Sequence, residues 1–348
     1  MSADQLALPF AGTRADPRQA AILRYAVGVT AATAVALGVA WPLSYLTPIL
    51  TAVLLAPPAR PVSLKVGVGL VLTVAAACLF ALIFGAALLP YPVAYALLIA
   101  WLLAVIFYAR SAGAPPILIL WVLVAMMVIP VVMLESADLA VFVAGQLVFG
   151  TAAAIAFVWL AHGLIPAPPS GSEPPKAAAG AEPLSPTDHV RSAAVSTLIV
   201  FPIVLLFTLF QLTDHLLVLI FIALLGHQSR MRAGRQAGSV MIVANVTGGI
   251  VAIAFYNLLV SVPWFPFLLL LTLLCGLLFG SLLFSDHTYA KFAGSAFTTV
   301  LLIIGSTTTS TNEAGAKVAT RVLQIIAAVL YLVVALNLVD KLGRRWRI

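Results

Sequence analysis

Residues 166–189 read PAPPSGSEPPKAAAGAEPLSPTDH. Proline, alanine, glycine and glutamate dominate this stretch, so it buries too little apolar surface to fold and reads as a disordered linker. Long apolar runs flank it on both sides. With the linker placed at 165–189, the chain divides into an N-terminal segment 1–21, a first unit 22–164, a second unit 190–340 and a basic tail 341–348.

The two units cannot be soluble domains. Of the 348 residues, 63% are hydrophobic and only 8% are charged, whereas a soluble domain carries roughly 25% charged residues. The bilayer must therefore be the solvent. The first 21 residues contain Arg14 and Arg18 but no apolar run with a small-residue cleavage site, so the first apolar segment is expected to remain as a span. Cys78 and Cys275 lie in different apolar segments without metal-ligand spacing and read as small buried hydrophobes.

A helical span needs about 20 apolar residues. Twelve segments qualify or nearly so: 22–41, 44–56, 64–89, 92–108, 115–133, 139–162, 191–210, 213–226, 236–260, 263–284, 290–306 and 314–339. The expected fold is an all-α polytopic membrane protein of about twelve transmembrane helices. If the N-terminus is cytoplasmic and the spans alternate, every lysine and arginine except Lys317 and Arg321 falls in a cytoplasmic segment or span end. Both termini are then cytoplasmic. The positive-inside bias accounts for the +7 charge without a nucleic-acid partner.

The halves also match one another. Arg24 opens the first in LRYAVGVT, and Arg191 opens the second in VRSAAVST. YLTPILTAVLLA (45–56) matches QLTDHLLVLIFIALLG (211–226), which sets Thr47 opposite Thr213 and Pro48 opposite Asp214. Basic loops follow in both. Gly67 then matches Gly238, and Pro92 starts the fourth span as Pro263 starts the tenth. Six spans per copy predicts two parallel repeats related by an axis along the membrane normal, as in some transporters.

A basic residue opening the first span, a short second span, a basic loop, a glycine-containing third span and an arginine in KVATRVLQIIAAVLYLV make up this six-span unit. It resembles the fusaric acid resistance and aromatic acid exporter superfamily, and more distantly the plant aluminium-activated malate channels. The chain departs from typical exporters, which carry a sizeable soluble domain after each unit; it resembles a compact, membrane-only member. The resemblance implies export of organic, aromatic carboxylates across a bacterial inner membrane. It also implies work with a periplasmic adaptor and an outer-membrane channel.

The second and eighth spans are too short to cross a hydrocarbon core of about 30 Å. Paired short segments at matching positions point to a transport site. Thr47 before Pro48 reads as an N-cap and first helical residue, and Thr213 begins the matching helix. Free amides at such ends attract anions, although Thr213 or Asp214 could simply cap its helix. Asp214 and His215 are ionisable groups within a span and are candidates for proton coupling. Exposure at the outer mouth is the alternative.

Glu313, Lys317 and Arg321 share one helix face at i, i+4 and i+8. Arg321 could hold a carboxylate bidentately, or pair with an acid such as Asp214. The substrate-binding candidates are thus Arg321, Lys317, Thr213, Thr47, Asn245 and Glu313. For Asn245, as for Thr247, Asn257, Gln324 and Asn337, a hydrogen bond between helices is the commoner use. Gln146 lies near the position matching Arg321, without charge.

No phosphate loop, nucleophile elbow or metal motif occurs, so no enzyme activity, cofactor or metal is expected. The expected function is a proton-coupled secondary transporter that exports small organic anions. The alternatives are a passive organic-anion channel and a non-transporting membrane scaffold. Membrane lipid is the expected environment, and assembly as a homo-oligomer is left open.

Overall fold

The computed structural model describes residues 16–41, 43–56, 62–166, 186–210, 219, 234–287, 289–308 and 331. These form ten helices, with no strand among the described residues: α1 (Pro17–Val39), α2 (Leu46–Leu55), α3 (Leu64–Leu88), α4 (Pro92–Ser111), α5 (Pro116–Met133), α6 (Ala137–Leu164), α7 (Pro186–Leu209), α8 (Gly234–Ser261), α9 (Phe265–Leu283) and α10 (Ala290–Thr308). Of the expected spans 213–226 and 314–339 only Leu219 and Tyr331 are described, and most of the linker also lies outside the described residues.

Local chemistry sets the helix ends. Asp16 caps α1 by accepting from the Arg18 amide, with Pro17 pre-set for the first turn. Ser63 and Ser136 cap α3 and α6 in the same way, accepting from Val66 and Leu139. Ala40 closes α1 in the left-handed region at φ 55°, its amide donating to the Ala36 carbonyl. Helix α1 therefore begins five residues before the expected span. Residues 186–189, read as linker, are the first turn of α7: His189 Nδ1 meets Ser111 Oγ at 3.1 Å, and its ring packs edge-on against Tyr108. Helix α9 begins at Phe265, two residues beyond Pro263.

Seven of the described helices are long and apolar enough to cross a membrane, and three shorter apolar helices accompany them. The chain is a helical membrane protein. Its outward residues are large and apolar: Leu72, Val93, Leu97 and Leu270 are all exposed. Such surfaces suit lipid, not water. Tyr91 and Trp264, the residues that precede α4 and α9, are exposed aromatics of the kind that settle at a membrane interface.

The core holds the shorter helices. In α5, Leu123 and Ala125 through Ile129 are buried on every face, as expected for a helix that is hydrophobic all round. It packs against α3, α4, α6 and α7. In α10, Phe297 and Val300 through Ile304 are buried against α8, α9 and α2. The two sides of the linker meet at several helix pairs, α2 with α10 and α5 with α7 among them. Helix α1 packs along α9, and α4 packs along α7. The α1–α9 contact is close and antiparallel: a Cβ on Gly276 would lie 2.9 Å from the Ala26 Cα, one on Gly280 would lie 3.3 Å from the Tyr25 ring, and Gly38 faces Phe265.

Candidate functional site

The short second span is shorter than its apolar run suggests. Helix α2 has 10 residues, a rise of about 15 Å. It is a core helix, packed by α1, α6 and α10, with every residue from Leu46 to Ala52 buried. Gly28 on α1 makes room for it: a Cβ there would meet Leu55 at 2.7 Å and Ala161 of α6 at 2.9 Å.

The entry to α2 corrects the expected cap. Thr47 is the second residue of the helix and Pro48 the third. Leu43, at φ 57°, turns the chain so that its carbonyl accepts from the Leu46 amide and the Ser44 carbonyl accepts from the Thr47 amide. The turn thus occupies the amides that were expected to be free for an anion, and Pro48 has none. Thr47 is wholly buried, and its hydroxyl has no hydrogen-bond partner among the described residues.

Beside α2 the two sides of the linker enclose a narrow cleft. Its walls include Thr33 of α1, Pro48 of α2, Phe255 of α8, Thr272 of α9, and Phe297 and Gly305 of α10. The residues that α10 contributes follow helical spacing from Phe297 to Gly305, so one face of the helix forms the wall. Thr33 and Thr272 donate back to the carbonyls of Val29 and Leu268, leaving the surface apolar. Beside the cleft, a Cβ on Gly305 would fall onto the Tyr45 side chain, so the glycine lets α10 close on the entry to α2. Further along α1, Tyr25 meets Phe297 with ring centroids 5.6 Å apart, and Phe297 stacks on Phe279 at the same separation.

Asn245 lies away from this cleft. It is buried between α8 and α10, with its side-chain oxygen 2.7 Å from Thr299 Oγ1. Gly248, one turn on, lets the helices close: a Cβ there would lie 2.5 Å from the Ala296 carbonyl oxygen. The geometry is that of a helix-to-helix hydrogen bond. Asp214, His215, Thr213, Glu313, Lys317 and Arg321 all lie outside the described residues.

Sequence reasoning missed the cleft walls because Thr33, Thr272 and Phe297 have no ionisable group to attract notice. It also treated Arg24 as an interfacial charge. Arg24 is buried, and its guanidinium donates to the Ile165 carbonyl at 3.1 Å and meets His162 Nε2 at 3.2 Å.

A family model described as "Protein of unknown function (DUF2955)" matches residues 21–161, the stretch that runs from α1 to near the end of α6. No curated protein and no solved structure matches the chain.

Proposed function

We propose that the chain is a secondary transporter of the bacterial inner membrane that exports small organic acids, aromatic carboxylates by resemblance, in exchange for protons. The observation that carries this proposal is the cleft where α1 and α2 meet α8, α9 and α10. A crevice between two helical bundles, beside a helix too short to span, is where transporters hold substrate.

The organisation into parallel repeats draws support from the helix pairings. With six spans to each half, α1 and α7 are first spans, and α4 and α9 are fourth spans. Each first span packs on the other half's fourth, and in both halves the third packs on the fifth, α3 on α5 and α8 on α10. A two-fold axis along the membrane normal exchanges these pairs. The family-model match over 21–161 has nearly the bounds of the first proposed unit.

In this scheme the aromatic ring of the substrate occupies the apolar cleft once the helices that line it move apart. Arg321, with Lys317, attracts the carboxylate, with Thr213 and Glu313 as further candidates for its binding; Asp214 and His215 exchange the proton. Thr47 shapes the buried side of α2, and Asn245 sets the spacing of α8 and α10. A periplasmic adaptor and an outer-membrane channel would complete export. The test is flux of a labelled aromatic acid into proteoliposomes with and without an imposed pH gradient. Gradient-dependent flux supports the scheme; equal flux without a gradient favours a passive channel, and none for any organic acid favours a scaffold.

A further inference from the structure

Arg24 is 5% exposed, yet it meets no carboxylate among the described residues. Both of its partners are neutral and lie at the end of α6. Nε donates to the Ile165 carbonyl, and Nη1 donates to His162 Nε2 at 3.2 Å. On the other side of the ring, His162 Nδ1 lies 2.9 Å from the Val158 carbonyl oxygen. That oxygen only accepts, so Nδ1 holds a proton, and Nε2, which faces a donor, holds none. The folded arrangement therefore takes a neutral imidazole.

Only one member of this pair can change charge near neutral pH. A guanidinium keeps its proton throughout, whereas a free imidazole titrates near about pH 6.5. A proton on Nε2 would remove the lone pair that Arg24 uses and set two cations 3.2 Å apart. The helices packed on α6 supply no acid to offset them. Helices α2 and α5 contain no ionisable residue. On α3 the ionisable residues are Lys65, exposed in the first turn, and the buried thiol Cys78. On α1, Arg18 reaches the Ser281 carbonyl, Tyr25 packs on Phe284 and Phe297, and Asp16 caps the helix start. On α6 itself, Asp138 lies at the opposite end. Arg24 is the charge that His162 meets. The ring is half-buried, Leu164 is exposed and Gly163 borders open space, so the end of α6 is open to a proton.

We propose that His162 is a pH-operated latch: on acidification it takes up a proton at Nε2, lets go of Arg24 and frees the last turn of α6 from α1. The unfolded chain accepts that proton without this penalty, so the stability of the tie falls as pH drops through the range of a free imidazole. The latch bears on the rest of the bundle. Helix α1 carries Thr33 and Leu37 into the cleft wall. Trp159, one turn before His162, donates to the Val62 carbonyl at 2.7 Å and ties the approach to α3 to the same part of α6. The inference holds whatever the cleft carries.

The experiment is hydrogen–deuterium exchange, read by mass spectrometry on the intact purified protein in detergent. It compares about pH 7.5 with about pH 5.5, on either side of the imidazole range, after correction for the intrinsic exchange rate. Amides 162–165 are expected to lose about tenfold in protection at the lower pH, the equivalent of one charge-assisted hydrogen bond. His162→Gln, which offers an acceptor that does not titrate, should show equal protection at both pH values. So should Arg24→Gln, which removes the repelled cation. Equal protection at both pH values in the intact chain overturns the proposal. An acid-induced loss of the same size in either variant overturns it too. Because no transport is read, failure here is distinct from failure of the exporter proposal.

Discussion

The Arg24 guanidinium lies 3.2 Å from His162 Nε2, while His162 Nδ1 lies 2.9 Å from the Val158 carbonyl oxygen. A carbonyl only accepts, so Nδ1 carries the proton and Nε2 presents its lone pair to Arg24. Arg24 also donates to the Ile165 carbonyl at the end of α6. One buried side chain thereby ties the start of α1 to the last turn of α6, where a positive charge favours the helix dipole.

This tie gives a mutational signature. Arg24→Lys removes the planar fork and should lower stability by about 1.5–3 kcal/mol, the usual range for a charged hydrogen bond. His162→Leu should also destabilise, because it leaves a guanidinium donor without its acceptor. His162→Gln restores an acceptor and should recover part of the loss. Thermal unfolding in detergent ranks the three.

The α1–α9 contact predicts a sharp contrast between glycines. Gly276→Ala places a Cβ 2.9 Å from the Ala26 Cα, which is backbone and cannot rotate away. The expected loss is about 1–3 kcal/mol. Gly249→Ala meets nothing within 4 Å and should be neutral or stabilise by up to about 1 kcal/mol through helix propensity. Unfolding midpoints of the two variants check both.

Between α8 and α10, the pair Asn245–Thr299 should couple. A double-mutant cycle with Asn245→Leu and Thr299→Val is expected to give about 0.6–1.7 kcal/mol, the range for hydrogen bonds between membrane helices. Organic-acid flux, normalised to folded protein, should change little in these variants. A selective loss of flux with stability intact would return Asn245 to the substrate path.

Helix existence was legible in the sequence because it rests on local apolar runs and their breakers: the spans expected from 64 and from Pro92 begin where α3 and α4 do, whereas the caps Asp16 and Ser136 start α1 and α6 ahead of the expected 22 and 139. The short α2 was legible too, as an apolar run pinched between Pro42 and Pro57. What depends on distant partners was not. Thr47 looks like a cap until Leu43 takes a positive φ and its turn occupies the amides. Arg24 looks like a surface anchor until α6, 141 residues on, supplies the Ile165 carbonyl. The partner of Asn245 lies 54 residues away on α10, and no spacing rule marks it. Residues 186–189 resemble linker in composition, yet Ser111 and Tyr108 of α4 hold His189 against them.

The central claim, proton-coupled export, is tested most directly by proteoliposome flux of a labelled aromatic acid under an imposed pH gradient, comparing the intact chain with Asp214→Asn. The intact chain should accumulate the acid only with the gradient. Asp214→Asn should lose most of that accumulation and still exchange the acid down its own gradient. Accumulation that ignores the pH gradient, or that Asp214→Asn leaves unchanged, would contradict the account.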